Sequence, residues 1–393
     1  MFEARFSQTA TRLLAPDNRV WAVHDRAMKR LAAGEDIIVM SVGDPDLPTI
    51  ERIIEHAVTS LYRGRTHYSP GMGEPELRRV IAEIESDASG RLTTPDEIII
   101  FPGATNALFT VLACLLDKDD ELIVTEPAYI GYRGLFAAVG AAVVAVPSLA
   151  GDGFRIDIDA IKAAATDRTR VLLLNTPGNP SGHVIPHRDL QALCEWALEQ
   201  DIWLVCDEVY SMLTFETPFV SARKAAPVLD NIIIVDGLSK SHAMTGWRLG
   251  WVVAPLAAIP PLLEFTSATV FGCSQFVQDA AAFALKNDQA YIQSVRDEYR
   301  QRRDYALARI AAIRGITCVK PAAGMFMMMD VSETGMNGYD FAENLLDRAG
   351  VSVLPGGGFG SRTTGFVRLS LTQGEQVLKQ AFDRIETFCL EVC

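Results

Sequence analysis

A lysine and an arginine, eight residues apart, are the residues whose types and spacing most clearly indicate chemistry. Lys240 and Arg248 follow an apolar run, Ile232 to Val235, that is typical of a buried strand. A lysine at the end of such a strand is partly desolvated, which lowers its pKa and frees its amine for Schiff-base chemistry. The planar guanidinium of arginine suits a phosphate. Pyridoxal 5′-phosphate (PLP) presents both an aldehyde and a phosphate, so the pair predicts a PLP site; an ordinary surface lysine and arginine are the alternative.

Small and aromatic residues follow two other apolar runs. Ala104 and Thr105 come after Ile98 to Phe101 and open a predicted helix. Free backbone N–H groups at a helix start bind anions, although a plain strand-to-helix turn explains these residues equally well. Tyr129 follows the run Leu122 to Thr125. Its ring could stack on a pyridine ring or simply contribute to packing.

Polar residues after two further runs match the needs of a pyridine ring. Asn179 stands in a loop of two prolines and two glycines, which form a rigid platform for a hydrogen-bonding side chain. Asp207 ends the run Trp203 to Cys206, where a carboxylate is costly unless it is paired. A protonated pyridine nitrogen is a suitable partner, because holding that proton makes the ring an electron sink. Tyr210 can donate to the ring oxygen; a simple turn and a capping aspartate are the alternatives.

An arginine also lies inside an apolar run near the C-terminus. Arg368 is the central residue of Phe366 to Ser370. A buried arginine of this kind has either a bound carboxylate or an acidic neighbour. Ligands of open α/β sheets bind beyond the carboxyl ends of the strands, so we expect the residues that follow the strands to converge there.

The pattern of apolar runs predicts the elements that position these residues. Continuous apolar strands joined by amphipathic helices indicate a mostly parallel sheet covered on both faces, the α/β class. The predicted strands are Glu97–Phe101, Leu122–Thr125, Ala142–Val146, Val171–Leu174, Trp203–Cys206, Ile232–Val235 and Trp251–Ala254. The helices predicted between them include Thr105–Leu116, Ile158–Ala165 and Arg188–Glu199.

The pattern of apolar and charged residues changes after residue 286 and predicts a smaller α+β domain. Its predicted elements are a charged helix Asp288–Ile313, a strand Met325–Asp330, a helix Tyr339–Arg348, strands Val351–Leu354 and Phe366–Ser370, and a last helix from Gly374. Residues 1–45 read as a helical arm with a short strand, Ile37–Val42, that could join this domain. We therefore predict a large domain at 46–286, with 1–45 and 287–393 forming the small domain.

These motifs resemble the class I/II aminotransferases over nearly the whole chain. The lysine–arginine segment resembles the family's PLP-lysine signature, and the Asn179 loop and the block from Asp207 to Tyr210 resemble its N-P-x-N-P-T-G and D-E-x-Y motifs. Further matches are the turn Ser41–Asp46, the stretch His67–Gly71 and the run Pro355–Gly360. The resemblance implies the PLP-dependent transferase fold type I, a large domain with a mostly parallel sheet plus a smaller α+β domain.

The resemblance also implies a role for each site residue. Lys240 would hold PLP and act as base, Asp207 would pair with the ring nitrogen, and Tyr210 and Asn179 would bind the ring oxygen. The phosphate would be bound by Ala104, Thr105, Arg248 and, from the neighbouring subunit, Tyr68, while Tyr129 would stack on the ring. Gly43, Asn179 and Arg368 would bind the substrate. Gly237 stands where many members carry a phosphate-binding serine, so phosphate binding would depend more on the other groups.

Composition limits the classes of partner and the cellular compartments that we expect for this protein. The chain has 393 residues and a formal net charge of −13, which argues against a nucleic-acid or membrane-surface role. No apolar run approaches the roughly 20 residues of a membrane span, and the N-terminus lacks the apolar stretch of a secretory signal. Seven scattered cysteines without a C-x-x-C pair fit a reducing compartment. We therefore expect a cytoplasmic protein without a metal, and the resemblance to aminotransferases implies a homodimer that binds amino acids and 2-oxo acids.

The sequence leaves the substrate and the reaction outcome open. No lysine or arginine occurs between Arg248 and Lys286, which argues against strict specificity for aspartate, because dicarboxylate-specific members use an arginine there. The segment around Lys240 is similar to that of bacterial arginine–pyruvate aminotransferases; neutral and aromatic amino acids are alternatives, with pyruvate or 2-oxoglutarate as acceptor. A PLP-dependent β-lyase or amino-acid oxidase would share the same motifs. A non-catalytic binding protein on this scaffold is the alternative from another class.

Overall fold

The computed structural model describes residues 5–14 and 19–392, and these form alternating strands and helices. The strands are β1 (Ile38–Val39), β2 (Ile98–Phe101), β3 (Glu121–Glu126), β4 (Ala142–Pro147), β5 (Thr169–Asn175), β6 (Trp203–Asp207), β7 (Ile232–Gly237), β8 (Gly250–Val253), β9 (Thr317–Cys318), β10 (Phe326–Asp330), β11 (Val351–Ser352), β12 (Leu354–Pro355) and β13 (Phe366–Ser370). The helices are α1 (Gln8–Leu13), α2 (Arg19–Ala32), α3 (Glu51–Tyr62), α4 (Pro75–Ser89), α5 (Ala104–Leu115), α6 (Tyr132–Val139), α7 (Ile158–Ala163), α8 (His187–Glu199), α9 (Ala222–Ala225), α10 (Ile259–Thr269), α11 (Gln275–Asn287), α12 (Gln289–Ala312), α13 (Gly338–Ala349) and α14 (Glu375–Val392).

A seven-stranded sheet with the order β2-β8-β7-β6-β5-β3-β4 forms the centre of the larger unit. The strands from β3 to β7 run parallel to one another. Strand β8 is antiparallel to both of its neighbours, β2 and β7. The sheet is therefore mostly parallel, which confirms the predicted α/β class. All seven predicted strands are present, within two residues of the predicted bounds.

Apolar side chains cover both faces of this sheet. Along β2, Ile98 and Ile100 belong to one buried cluster, which also contains residues of α3, α4, α8 and α11. Ile99 and Phe101 belong to a second cluster with α5 and α10. Successive strand residues point to opposite faces, so a strand that is buried on both sides must be apolar throughout. This explains why the strands read as continuous apolar runs in the sequence.

The smaller unit contains a four-stranded sheet with the order β12-β13-β10-β9, in which all pairs are antiparallel. A third buried cluster joins this sheet to helices α2, α12, α13 and α14. Helix α13 begins where the Asn337 side chain accepts hydrogen bonds from the N–H groups of Tyr339 and Asp340, and it ends at Gly350 in the left-handed conformation. The predicted α+β character of this region is confirmed, while the domain limits at 46 and 286 stay a prediction.

The N-terminal segment joins the smaller unit through one short strand. Strand β1 pairs in parallel with β11, with Ile38 opposite Val351, as predicted for a strand in this segment. Helices α1 and α2 form the described part of the predicted arm; the rest of that arm, at 1–4 and 15–18, lies outside the described residues. In the part of the chain that the structure describes, no helix combines the length and apolar character that crossing a membrane requires.

Candidate active site

A cavity of about 520 Å³ opens at the carboxyl ends of the parallel strands. It is the place where ligands bind in open α/β sheets. All but one of the site residues predicted from the sequence line this cavity. They are Gly43, Ala104, Thr105, Tyr129, Asn179, Asp207, Tyr210, Lys240, Arg248 and Arg368. The expected convergence of residues that follow the strands is therefore observed.

Lys240 follows the end of β7 and is held by a backbone group of the N-terminal segment. Its Nζ donates a hydrogen bond of 2.8 Å to the carbonyl oxygen of Gly43. Burial lowers the pKa of the Lys240 amine to about 8, although the nearby carboxylate of Asp44 opposes the shift. An amine with this pKa is deprotonated far more readily than a solvated lysine, so it can act as a nucleophile or a base near neutral pH.

Asp207, the last residue of β6, is a buried carboxylate on the floor of the cavity. Burial raises its pKa to about 6, even though hydrogen bonds from Tyr132 and from the backbone N–H of Val209 act in the opposite direction. The Tyr132 hydroxyl donates to Oδ2 of Asp207 at 2.5 Å. The described structure contains no cationic side chain in an ion pair with Asp207. A protonated ring nitrogen would supply the missing positive charge.

Asn179 links a tyrosine to an arginine at the opposite wall. Its Nδ2 donates to the hydroxyl of Tyr210 at 3.3 Å, and its Oδ1 accepts from Nη1 of Arg368 at 3.2 Å. Arg368 also donates to the carbonyl of Ser41 at 2.7 Å, and its guanidinium lies 4.2 Å from the centre of the Phe326 ring. The buried Nε of Arg368 has no hydrogen-bond partner in the described chain. Arg368 therefore keeps donor capacity for a carboxylate ligand.

The N-terminus of α5 and Arg248 form an anion site at one end of the cavity. Gly103 precedes this helix with φ +96, and a Cβ added there would lie 2.5 Å from Nη2 of Arg248. A Cβ added at Gly250 would lie 2.5 Å from the backbone nitrogen of Ala104. Only glycines therefore allow the guanidinium and the first turn of α5, with Thr105, to come this close. Free N–H groups beside an arginine are a favourable place for a phosphate.

Gly237 has a structural reason for departing from the family's serine. A Cβ at this position would lie 2.9 Å from the carbonyl oxygen of Leu249 and 3.1 Å from Cα of Gly250. Both are backbone atoms that cannot rotate away. A serine would therefore push β8 away from β7, so the close packing of these two strands favours glycine here.

Tyr68 is the predicted site residue that does not line the cavity of this single chain. Its side chain is exposed, with a relative accessibility of 81%. Its ring packs edge-on against Phe271, at 4.9 Å between ring centres, and Phe271 is exposed as well. In one chain alone, Tyr68 is therefore a surface residue, and its predicted role depends on a second subunit.

The residues of the cavity fit PLP. Asp207 offers the ring nitrogen a buried carboxylate that has hydrogen bonds but no ion pair, and the α5 N-terminus with Arg248 offers donors for the phosphate. Tyr129, half-buried beside Tyr132 at 5.3 Å between ring centres, provides an aromatic face. Lys240 offers an amine of the kind that can bond to an aldehyde. Across residues 5–14 and 19–392, no three His, Cys, Asp or Glu side chains gather as a metal site would require.

Several cavity residues had no role in the sequence-based prediction. They are Trp21, Asp44, Asn175, Tyr132 and Thr245. Tyr132 stands three residues after Tyr129, at the start of α6, and this one-turn spacing was the available signal. Asp44 lies inside a stretch whose resemblance was recognised, but only its neighbour Gly43 received a role.

Comparisons of the sequence with known proteins agree with this geometry. The family model described as aminotransferase class I and II matches residues 35–385. The chain is 40% identical over 388 residues to the arginine–pyruvate transaminase AruH of Pseudomonas aeruginosa, covering 99% of both proteins. It is 36% identical over 366 residues to the aspartate/prephenate aminotransferase of Thermus thermophilus, covering 92% of this chain and 94% of that protein.

Several solved structures superimpose closely on this chain. A mutant of the Thermus thermophilus aspartate aminotransferase superimposes with a TM-score of 0.93 at 33% identity, covering 98% of this chain and all of the other. The aromatic aminotransferase of Pyrococcus horikoshii gives a TM-score of 0.88 at 33% identity, covering 93% and 99% of the two chains. The chain therefore belongs to the class I and II aminotransferases, and it is a PLP-dependent enzyme that moves an amino group from an amino acid to a 2-oxo acid.

Proposed function

We propose that this enzyme transfers the α-amino group of L-arginine to pyruvate, giving the 2-oxo acid of arginine and alanine. The observation that carries the proposal is the 40% identity to an arginine–pyruvate transaminase over 99% of both chains. A second observation supports it: residues 249–285 contain no lysine or arginine, although dicarboxylate-specific members use an arginine in this part of the chain. Neutral and aromatic amino acids are the competing donors, and 2-oxoglutarate is the competing acceptor.

We infer that four side chains hold the aldehyde and the ring of the cofactor. Lys240 would hold the aldehyde through its amine, and Asp207 would pair with the protonated ring nitrogen. Tyr210 and Asn179, which are already hydrogen-bonded to each other at 3.3 Å, bind the ring oxygen. When bound, PLP supplies an electron sink for the charge released at the substrate α-carbon. Asp207 maintains that sink, because its negative charge favours the protonated nitrogen in a site that excludes water.

The phosphate end of the cofactor is held by Arg248 and the start of α5. The support is the packing of the Arg248 guanidinium against Gly103, directly before Ala104 and Thr105. Tyr129 covers the ring. These groups form no covalent bond, so their role is to fix the orientation of the cofactor relative to Lys240.

The substrate is bound by its carboxylate and is deprotonated by Lys240. Arg368 and Asn179 bind the α-carboxylate, and the carbonyl of Gly43 lies beside the amine of Lys240 at 2.8 Å. With the cofactor bound, Nζ of Lys240 would accept the proton of the substrate α-carbon and deliver it to a different carbon, which is the proton transfer that transamination requires. Burial lowers the pKa of Lys240 to about 8, which suits an amine that must both accept and release a proton near neutral pH.

We further propose a cytoplasmic homodimer in which Tyr68 of each subunit reaches the phosphate of the other. The support is the pair of exposed aromatic rings, Tyr68 and Phe271, which pack on each other at the surface. Buried thiols such as Cys194 and Cys206 are compatible with a reducing compartment.

The division into a large domain at 46–286 and a small domain formed by 1–45 and 287–393 is part of the same proposal.

The donor is tested by measuring kcat/KM for arginine, aspartate and phenylalanine, each with pyruvate and with 2-oxoglutarate. The proposal expects arginine with pyruvate to exceed the other pairs by about 10-fold or more. Ammonia is measured in the same samples and in samples without a 2-oxo acid, which report a lyase or oxidase reaction. A clear preference for aspartate or phenylalanine contradicts the proposed donor.

A further inference from the structure

One charged residue of the cavity has no partner in the chemistry described above. The charged side chains that line the cavity are Asp44, Asp207, Lys240, Arg248 and Arg368. Four of them have partners: the ring nitrogen, the aldehyde, the phosphate and the substrate α-carboxylate. Asp44 remains, so its negative charge has no counterpart among the groups of the cofactor and the amino acid that are assigned above.

Asp44 is held firmly at this position. Its Oδ1 accepts a hydrogen bond of 2.7 Å from the hydroxyl of Thr245. The preceding residue, Gly43, lies so close to Phe326 that an added Cβ would be 2.0 Å from the ring. The same ring lies 4.2 Å from the guanidinium of Arg368. The backbone that carries Asp44 is therefore fixed relative to the arginine that binds the substrate carboxylate.

The second oxygen of Asp44 is available to a ligand. Within the described ranges, Oδ2 of Asp44 accepts no hydrogen bond, and the side chain is exposed at the cavity wall. A carboxylate with one anchored and one open oxygen binds a guanidinium or ammonium group through charge-assisted hydrogen bonds. It repels a second carboxylate at the same place.

We propose that Asp44 is the residue that selects a cationic side chain in the substrate. It would bind the guanidinium of arginine, while Arg368 binds the α-carboxylate at the other end of the same molecule. The inference rests on the proposed donor, because it names the group that recognises it. It goes further in predicting that one carboxylate accounts for the preference for a cation over a neutral or acidic side chain.

An alternative role for Asp44 is to tune Lys240, since its charge raises the pKa of that amine. The two roles differ in what they do to different substrates. An effect through Lys240 changes the reaction of every amino acid alike and shifts the pH profile. An effect through side-chain binding changes the reaction of cationic substrates alone.

The test compares L-arginine with L-citrulline, which has a neutral ureido group in place of the guanidinium and nearly the same shape. We measure kcat/KM for both with pyruvate in the wild type and in Asp44→Asn, Asp44→Glu and Glu333→Gln. We expect the wild type to favour arginine, and Asp44→Asn to lower the arginine-to-citrulline ratio by about 10- to 100-fold, mainly through KM. Asp44→Glu should keep most of the preference, and Glu333→Gln, which removes an exposed negative charge outside the cavity, should keep all of it.

Binding without turnover provides a second readout. Dissociation constants of arginine and citrulline are measured by calorimetry on PLP-loaded Lys240→Ala, with and without Asp44→Asn. The expected result is a loss of affinity for arginine only. Equal losses for both ligands, or no loss, overturn the inference. A wild type that transaminates neutral amino acids but not arginine contradicts the proposed donor, and a wild type that uses arginine without discriminating it from citrulline contradicts the role of Asp44 alone.

Discussion

The hydroxyl of Tyr132 donates a hydrogen bond of 2.5 Å to Oδ2 of Asp207 across 75 positions of the sequence. Both side chains are buried. The hydrogen bond opposes the effect of burial on Asp207, whose pKa nevertheless rises to about 6. Tyr132 therefore helps to keep Asp207 ionised, although it does not itself contact the reacting atoms.

Replacing this tyrosine tests that positioning role. We expect Tyr132→Phe to raise the pKa of Asp207 further, because a hydrogen bond to the ionised form is lost. The affinity of the PLP-free protein for PLP should then weaken by about 10-fold. As the pH is lowered, this affinity should begin to fall at a higher pH in Tyr132→Phe than in the wild type. Fluorescence titration with PLP between pH 5 and 8 measures both effects. A uniform loss of affinity with an unshifted pH profile would assign Tyr132 a packing role only.

Asp207 itself should destabilise the PLP-free protein. Its pKa is about 6 in the folded chain, against an ordinary 3.8, so the folded state binds the proton more tightly. The contribution of Asp207 to the stability of the folded protein is fully unfavourable above about pH 6. It disappears as the pH falls below the ordinary aspartate pKa of 3.8. Asp207→Asn should therefore stabilise the PLP-free protein by about 1–3 kcal/mol at pH 8, while PLP affinity falls.

Denaturant unfolding of the wild type and of Asp207→Asn, with and without PLP, measures the free energy of unfolding and its increase on PLP binding. The wild type should gain stability from PLP, and Asp207→Asn should gain much less. At pH 4 the difference between the two PLP-free proteins should shrink. A PLP-free Asp207→Asn protein that is less stable than the wild type at pH 8 contradicts the account of the buried charge.

The sequence was informative where a residue follows a strand. Asn179 and Asp207 each come after a continuous apolar run, and the rule that parallel strands end at one edge predicts their proximity. Tyr132 and Asp44 were missed for a physical reason. Their contacts, with Asp207 and Thr245, join segments far apart in the chain, and hydropathy patterns contain no information on such pairs. The limits of most elements were predicted to within a few residues, because strands buried on both faces have sharp polar boundaries. The single strand predicted at Val351–Leu354 is instead two strands, β11, which pairs with β1, and β12, which pairs with β13.

Arg368 gives a prediction for substrate binding. A lysine keeps the positive charge but loses the planar pair of donors that binds a carboxylate. Arg368→Lys should therefore lower kcat/KM for all amino acids by about 100-fold, mainly through KM, while PLP binding stays normal. Steady-state kinetics with several donors, beside PLP titration, separate these effects. Loss of PLP binding would indicate instead that the arginine supports the fold of the cavity.

Tyr68 gives a prediction for subunit assembly. If its hydroxyl reaches the phosphate in the other subunit, Tyr68→Phe should weaken PLP binding by about 10-fold and leave the dimer intact. Tyr62→Phe is the matched control, since Tyr62 is also exposed, at 90% relative accessibility. PLP titration and light scattering measure affinity and mass. Wild-type affinity in Tyr68→Phe, or a monomeric wild type, contradicts the proposed shared site.

The central claim is that Lys240 carries the cofactor, and chemical trapping tests it most directly. The PLP-loaded enzyme is reduced with borohydride, digested and analysed by mass spectrometry, with Lys240→Ala treated in parallel. The account predicts a phosphopyridoxyl group on Lys240 alone, and a Lys240→Ala protein that binds PLP without covalent attachment and does not transaminate. A modified lysine elsewhere in the chain, or normal turnover by Lys240→Ala, would contradict it.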